Sequence, residues 1–183
     1  MTAPSDERAW LLRALLVLQS PRAVFAALRD DSDDAARARQ ESITALVGLA
    51  GIAGVLWTPV AGRLLDDPAV DELLVGVWAF VGGGLYGVCS YFAGGALLFL
   101  GLRSAGSAGS YRRARHLLAF ALAPVALSLL VVWPLRLAAY GSDVFRTGGG
   151  DGGAADTLFA ALALGFVAWS AVLLAVGTRT VHG

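Results

Sequence analysis

The sequence predicts an all-α fold: a polytopic transmembrane helical bundle of four spans with cytoplasmic amphipathic N-terminal helices. Three observations carry this. Four stretches hold no charged residue and are each long enough to cross a bilayer: Ser42–Gly62, Leu73–Leu102, Leu117–Leu135 and Thr157–Thr178. A hydrocarbon core about 30 Å thick takes roughly 20 helical residues at about 1.5 Å each. A helix apolar on every side must be buried in a large protein or lie in lipid, and a chain of 183 residues cannot bury four. Second, mean hydropathy is +0.67 and 57% of residues are hydrophobic, both high for a soluble domain. Third, the arginines alternate in density from one connection to the next, as the positive-inside rule requires.

Residues 1–41 read as a cytoplasmic region and 42–183 as the membrane domain. No cleavable signal is present, because the apolar run Trp10–Leu18 is short, interrupted by Arg13, and lacks a small-residue cleavage site. Trp10, Leu11, Ala14, Leu15 and Leu18 share one helical stripe, which suits a helix lying on the membrane surface. Ser20-Pro21 marks a second helix start, with Val24, Phe25 and Leu28 on one face. The run Asp30-Asp31-Ser32-Asp33-Asp34 follows. Its spacing fits no calcium loop, and Ser32 with Asp33 and Asp34 suits a helix cap that leads through Ala35–Glu41 into the first span.

The spans are placed at about 42–62, 73–102, 115–140 and 157–178. Six arginines precede the first span, and Arg103, Arg112, Arg113 and Arg115 lie between the second and third. The other two connections carry Arg63 with Asp66, Asp67, Asp71 and Glu72, and Arg136 and Arg146 with Asp143, Asp151 and Asp156. This places the N-terminus in the cytoplasm, and with four spans the tail as well. Trp57, Trp78, Trp133 and Tyr140 then fall at the outer interface, where Arg63 and Arg136 can snorkel.

Small residues mark helix packing. Gly48, Gly51 and Gly54 recur every three residues in the first span, and Gly83 with Gly87 forms a GxxxG in the second. Close approach needs small side chains, since lipid supplies no hydrophobic drive between helices. The pattern fits a homo-oligomer face or, preferably, contact between spans of one chain. Pro124 and Pro134 are candidate kinks in the third span.

No active site is legible. No Asp, Glu, Lys or His lies at mid-bilayer depth, where ion-coupled carriers and intramembrane hydrolases need one. Catalytic, cofactor and metal residues are all expected to be absent. Cys89 has no activating neighbour and reads as a packing residue. The Gly-rich run Thr147–Gly153 lacks the Lys-Ser/Thr of a phosphate loop and reads as a flexible tether. Net charge is zero, which argues against a nucleic-acid partner. All 14 basic residues are Arg, read as a bacterial coding bias rather than chemistry. One patch can carry recognition: Tyr111, Arg112, Arg113, Arg115 and His116, just cytoplasmic of the third span. It suits anionic headgroups, a cytosolic protein partner, or topology alone.

Here the chain resembles a known family. Ser110-Tyr111-Arg112 followed by Phe120 and Pro124 resembles the middle of YIP-domain proteins, the Ypt/Rab-interacting membrane proteins and their bacterial relatives. Trp169 with Gly177–Gly183 is similar to the family's later helix and its cytoplasmic end, and Ser20-Pro21 with Phe25 to the lead-in of bacterial members. The resemblance implies a non-catalytic protein of the cell membrane that organises partners or lipids; the alternative is a small permease or lipid-handling protein. Members usually have five spans, so this sequence reads as a four-span variant or a shortened chain. The Tyr-Gly-Pro-type signature of eukaryotic members is missing, and no Rab-binding residue transfers.

Overall fold

The computed structural model describes residues 15–150 and 153–182, and among these there is helix and turn but no strand. Helix α1 is described over 15–19, and α2 spans Pro21–Ala26 before a 3-10 turn at Ala27–Arg29. Then follow α3 (Asp33–Leu56), a 3-10 segment at Ala61–Asp66, α4 (Glu72–Ser104), α5 (Tyr111–Ala121), α6 (Ala123–Tyr140), a 3-10 segment at Gly141–Phe145, and α7 (Ala154–His182).

Each start has a local cause. Ser32 accepts from the Ala35 amide to cap α3, with Asp33 and Asp34 in its first turn. Asp71 caps α4 through the Leu74 amide, and Ser110 caps α5 through that of Arg113. These bonds satisfy backbone donors that no helix can satisfy internally. At α2 the helix begins at Pro21 as the sequence indicates, but Ser20 makes no side-chain cap bond.

Among the described residues three helical units are long and apolar enough to cross a membrane: Glu72–Ser104, the nearly continuous Tyr111–Phe145, and Ala154–Val181. The first predicted span departs from expectation at its far end. Helix α3 stops at Leu56 instead of Gly62. The Thr58 hydroxyl donates to the Val55 carbonyl at 2.6 Å, and Pro59 has no amide to continue the ladder. That leaves 15 uncharged helical residues, 42–56, a rise of about 22 Å against a core of about 30 Å.

Packing follows the glycines. Helix α3 lies along α4 and against α6, and α7 packs on α6, α5 and α2. At the α3–α4 crossing a Cβ on Gly51 would stand 2.7 Å from the Gly87 Cα, and one on Gly83 would stand 2.5 Å from the Ile52 Cα. Both are closer than any side chain tolerates, so this contact requires glycine. Gly54 sits against the Tyr86 ring, whereas a Cβ on Gly48 would meet nothing. The third predicted span is broken at Leu122, two residues before Pro124, which occupies the first turn of α6; Pro134 lies inside α6, which runs on to Tyr140.

The apolar core gathers at the end of the bundle where α3 begins. Phe25 and Leu28 insert among Ile43, Leu46, Leu117, Phe120, Leu173 and Val181. The α2 segment is therefore docked into the bundle. Of the stripe expected on the membrane surface, Trp10, Leu11 and Ala14 lie outside the described residues, while Leu15 is exposed and Leu18 half-buried. Leu85, Leu97, Leu158, Leu164 and Val172 point outward from α4 and α7, as lipid-facing positions should. Cys89 is exposed on α4, so it does not pack inside this chain.

Candidate functional site

The start of α5 and the acidic run before α3 meet, bringing together charges some 80 residues apart in sequence. Arg112 is the hub. Its Nε donates to Asp31 Oδ1 at 3.0 Å and its Nη1 to Asp33 Oδ1 at 2.6 Å, while Nη2 reaches the Asp31 carbonyl. Ser110, which caps α5, also donates its hydroxyl to the Asp31 carboxylate. Burial pushes the Asp31 carboxyl upward, but the bonds from Ser110 and Arg112 outweigh it and hold it below its ordinary range. Asp30 is also held low, chiefly by the Ser32 backbone amide.

Arginine guanidiniums also bond the carbonyls at the end of α2. Arg39 donates to Ala27 O at 3.1 Å and Asp30 O at 2.7 Å. Arg113 donates to Arg29 O at 2.9 Å, and Arg29 in turn reaches Thr180 O on α7 at 2.7 Å. A forked, permanently charged donor suits such multiple acceptance. The N-terminal segment is thus tied to α3, α5 and α7 at once.

The predicted recognition patch largely faces inward. Tyr111 donates its hydroxyl to Phe92 O at 2.8 Å. Arg115 lies over the rings of Phe92 (4.8 Å) and Tyr111 (4.6 Å), with no acceptor for its buried Nε. His116 is only 3% exposed. A cavity of about 450 Å³ opens beside them, walled by Asp33, Arg37, Gln40, Arg112, Arg115 and His116. One carboxylate against three guanidiniums makes that wall cationic. Arg37 was not singled out from sequence; its signal is its place one helical turn past Asp33. The pairing itself had a signal, since two short blocks of opposite charge flank two different helix starts.

The opposite end of the bundle holds a second cluster. Arg136, expected to snorkel outward, is 9% exposed. Its Nη2 pairs with Asp156 of α7 at 3.1 Å, and the guanidinium sits 4.7 Å from the Trp57 ring centroid and 5.4 Å from that of Trp133. Trp133, expected at an interface, is buried and stacked on Phe145. The expected tether is fastened in part: Thr147 donates its amide and hydroxyl to Asp66, which holds that carboxyl below its ordinary range. Among the described residues no group of three His, Cys, Asp or Glu is placed to hold a metal.

Apolar helices of this length, with apolar side chains turned outward, define a multi-pass membrane protein. A Yip1-domain family model matches residues 15–183. The chain belongs to the Yip1-domain family. No curated protein and no solved structure gives a significant match.

Proposed function

We propose that this Yip1-domain protein is a non-catalytic scaffold or adaptor of the cell membrane, with its N-terminus in the cytoplasm. The supporting observation is the cationic cavity walled by Arg37, Arg112 and Arg115, held in shape by the Asp31–Arg112–Asp33 clamp. Such a wall suits an acidic segment of a cytosolic protein partner, through charge-assisted bonds. Membrane lipids cover the outward faces of α4 and α7.

Helix α3 is read as the fourth crossing. Its 15 uncharged residues rise about 22 Å, and local thinning of the bilayer would meet the remaining depth. The arginine distribution supports the cytoplasmic N-terminus. In this reading the glycines of α3 and α4 serve contact within one chain, and homo-oligomers would use other faces.

Chemical crosslinking in native membranes followed by purification tests the adaptor role. A cytosolic protein recovered with the wild type and lost with Arg37→Gln plus Arg115→Gln supports it. Equal recovery with both removes this cavity from the proposal. A second reading, lipid handling, is favoured by an apolar cleft of about 410 Å³ between α3, α6 and α7, lined by Gly54, Val125, Ser128, Ala163 and Val167. Substitution of Ala163 by Trp should fill it, and unchanged lipid content on purification would count against that reading.

A further inference from the structure

At the end of the bundle away from the N-terminal segment lies a cavity of about 330 Å³ whose wall includes Trp57, Thr58, Arg63, Arg136 and Thr147. Its polar character is one-sided. Among the described residues two arginines line it and no carboxylate does. The nearby carboxylates are already engaged: Asp156 by Arg136, Asp66 by Thr147, and Asp143 by Arg146 at 3.6 Å. Thr58 and Thr147 spend their hydroxyl protons on Val55 O and Asp66.

Donors, by contrast, are left over. The Trp57 indole N–H and the Arg136 Nε are both buried and have no acceptor among the described residues. Leaving a buried donor unmade is costly, more so for a charged group. Both belong to residues of the cavity wall but lie just beneath its surface, so an acceptor reaches them only after a small shift of those side chains, whereas the exposed guanidinium of Arg63 meets the cavity directly. A guanidinium resting against two indoles is also poorly hydrated, which strengthens its attraction for an anion.

We propose that this cavity binds a phosphate group, of the kind a phospholipid headgroup carries at the membrane boundary. A tetrahedral oxyanion offers enough lone pairs to accept from Trp57, Arg63 and Arg136 together. Its position at the end of α3 and beside the 3-10 segment Ala61–Asp66 puts it where headgroups lie if α3 crosses.

Thermal unfolding of the full chain in neutral maltoside detergent tests this with three probes: dioctanoyl phosphatidylglycerol, dioctanoylglycerol with the same chains but no phosphate, and inorganic phosphate. The phosphate lipid should stabilise the protein and dioctanoylglycerol should not. Trp57→Phe removes the N–H together with the fused five-membered ring of a half-buried residue, and Arg63→Gln alters an exposed one, so both variants should fold. Each should weaken the apparent affinity for the phosphate lipid about 5- to 10-fold. Arg37→Gln, at the other end of the molecule, should leave it unchanged. Stabilisation by inorganic phosphate as well would identify a free oxyanion as sufficient. Its absence alongside a lipid response would assign the site to headgroups. Equal stabilisation by dioctanoylglycerol, no response to any probe, or an unaltered response in both variants would overturn the proposal.

Discussion

Arg112 shows how much one side chain can organise. It bonds two carboxylates and a carbonyl of the segment that precedes α3, whereas Arg37 meets Asp34 at 4.0 Å with both groups almost fully solvated. Exposed pairs of the latter kind contribute about 0–1 kcal/mol, and charge-assisted bonds to partly buried groups contribute more. Arg112→Gln should therefore lower the unfolding midpoint, and Arg37→Gln should leave it unchanged; differential scanning fluorimetry in detergent separates them. The clamp should also respond to acid. The folded state holds Asp31 below its ordinary range, so its contribution is complete above about pH 4 and is lost as pH falls through the depressed native value. Limited proteolysis between Pro21 and Asp34 should speed up only in that acidic window. In Asp31→Asn the acid-induced step should vanish. The two blocks of opposite charge were legible, but that Asp31 and Arg112 meet was not, because a charge block near a span is a topology signal whether or not it finds a partner.

At the scale of elements, the apolar runs and the Ser32 cap were legible, whereas the Asp71 and Ser110 caps and the ends of the runs were not. Ser32 and the glycine spacing announced α3 and its contact, since a cap and a small-residue face are local patterns. The early end of α3 was not read, because an apolar count passes through Thr58-Pro59 although the backbone cannot. Likewise Arg136 and Trp133 are amphipathic residues near a helix end, and sequence cannot distinguish snorkelling to water from turning inward onto Asp156 and Phe145. The α3–α4 crossing makes a sharp prediction. Gly87→Leu would force a side chain toward the Val47 carbonyl and the Gly51 Cα, and overpacking of this kind costs about 1–3 kcal/mol. Gly48→Leu, with open space beside it, should be nearly neutral. Comparable midpoints for the two in thermal unfolding would remove the glycine contact from the account.

For the whole molecule, the open question is which sides the connections face. With Cys89→Ser as background, a cysteine at Asp67 and one at Ser107 should label from opposite sides of the membrane in intact cells. A membrane-impermeant maleimide should reach position 67 first and position 107 only after permeabilisation. Labelling of both from one side would mean that α4 does not cross. The family and the membrane class were readable from the chain because they depend on hydropathy and on short motifs around Ser110-Tyr111-Arg112. The way the N-terminal segment folds back on the bundle was not, because Phe25 meets helices that begin far along the chain.

That return has a consequence in time. Arg29 bonds the carbonyl of Thr180 across 151 residues, so a segment made early needs a helix made much later to complete its site. At about 5–20 residues per second, roughly 8–30 s separate the two during synthesis. Throughout that interval Phe25 and Leu28 can meet Ile43, Leu46, Leu117 and Phe120 as these emerge, but not Leu173 and Val181. Burial of the α2 face is therefore completed only when α7 arrives and closes the fold.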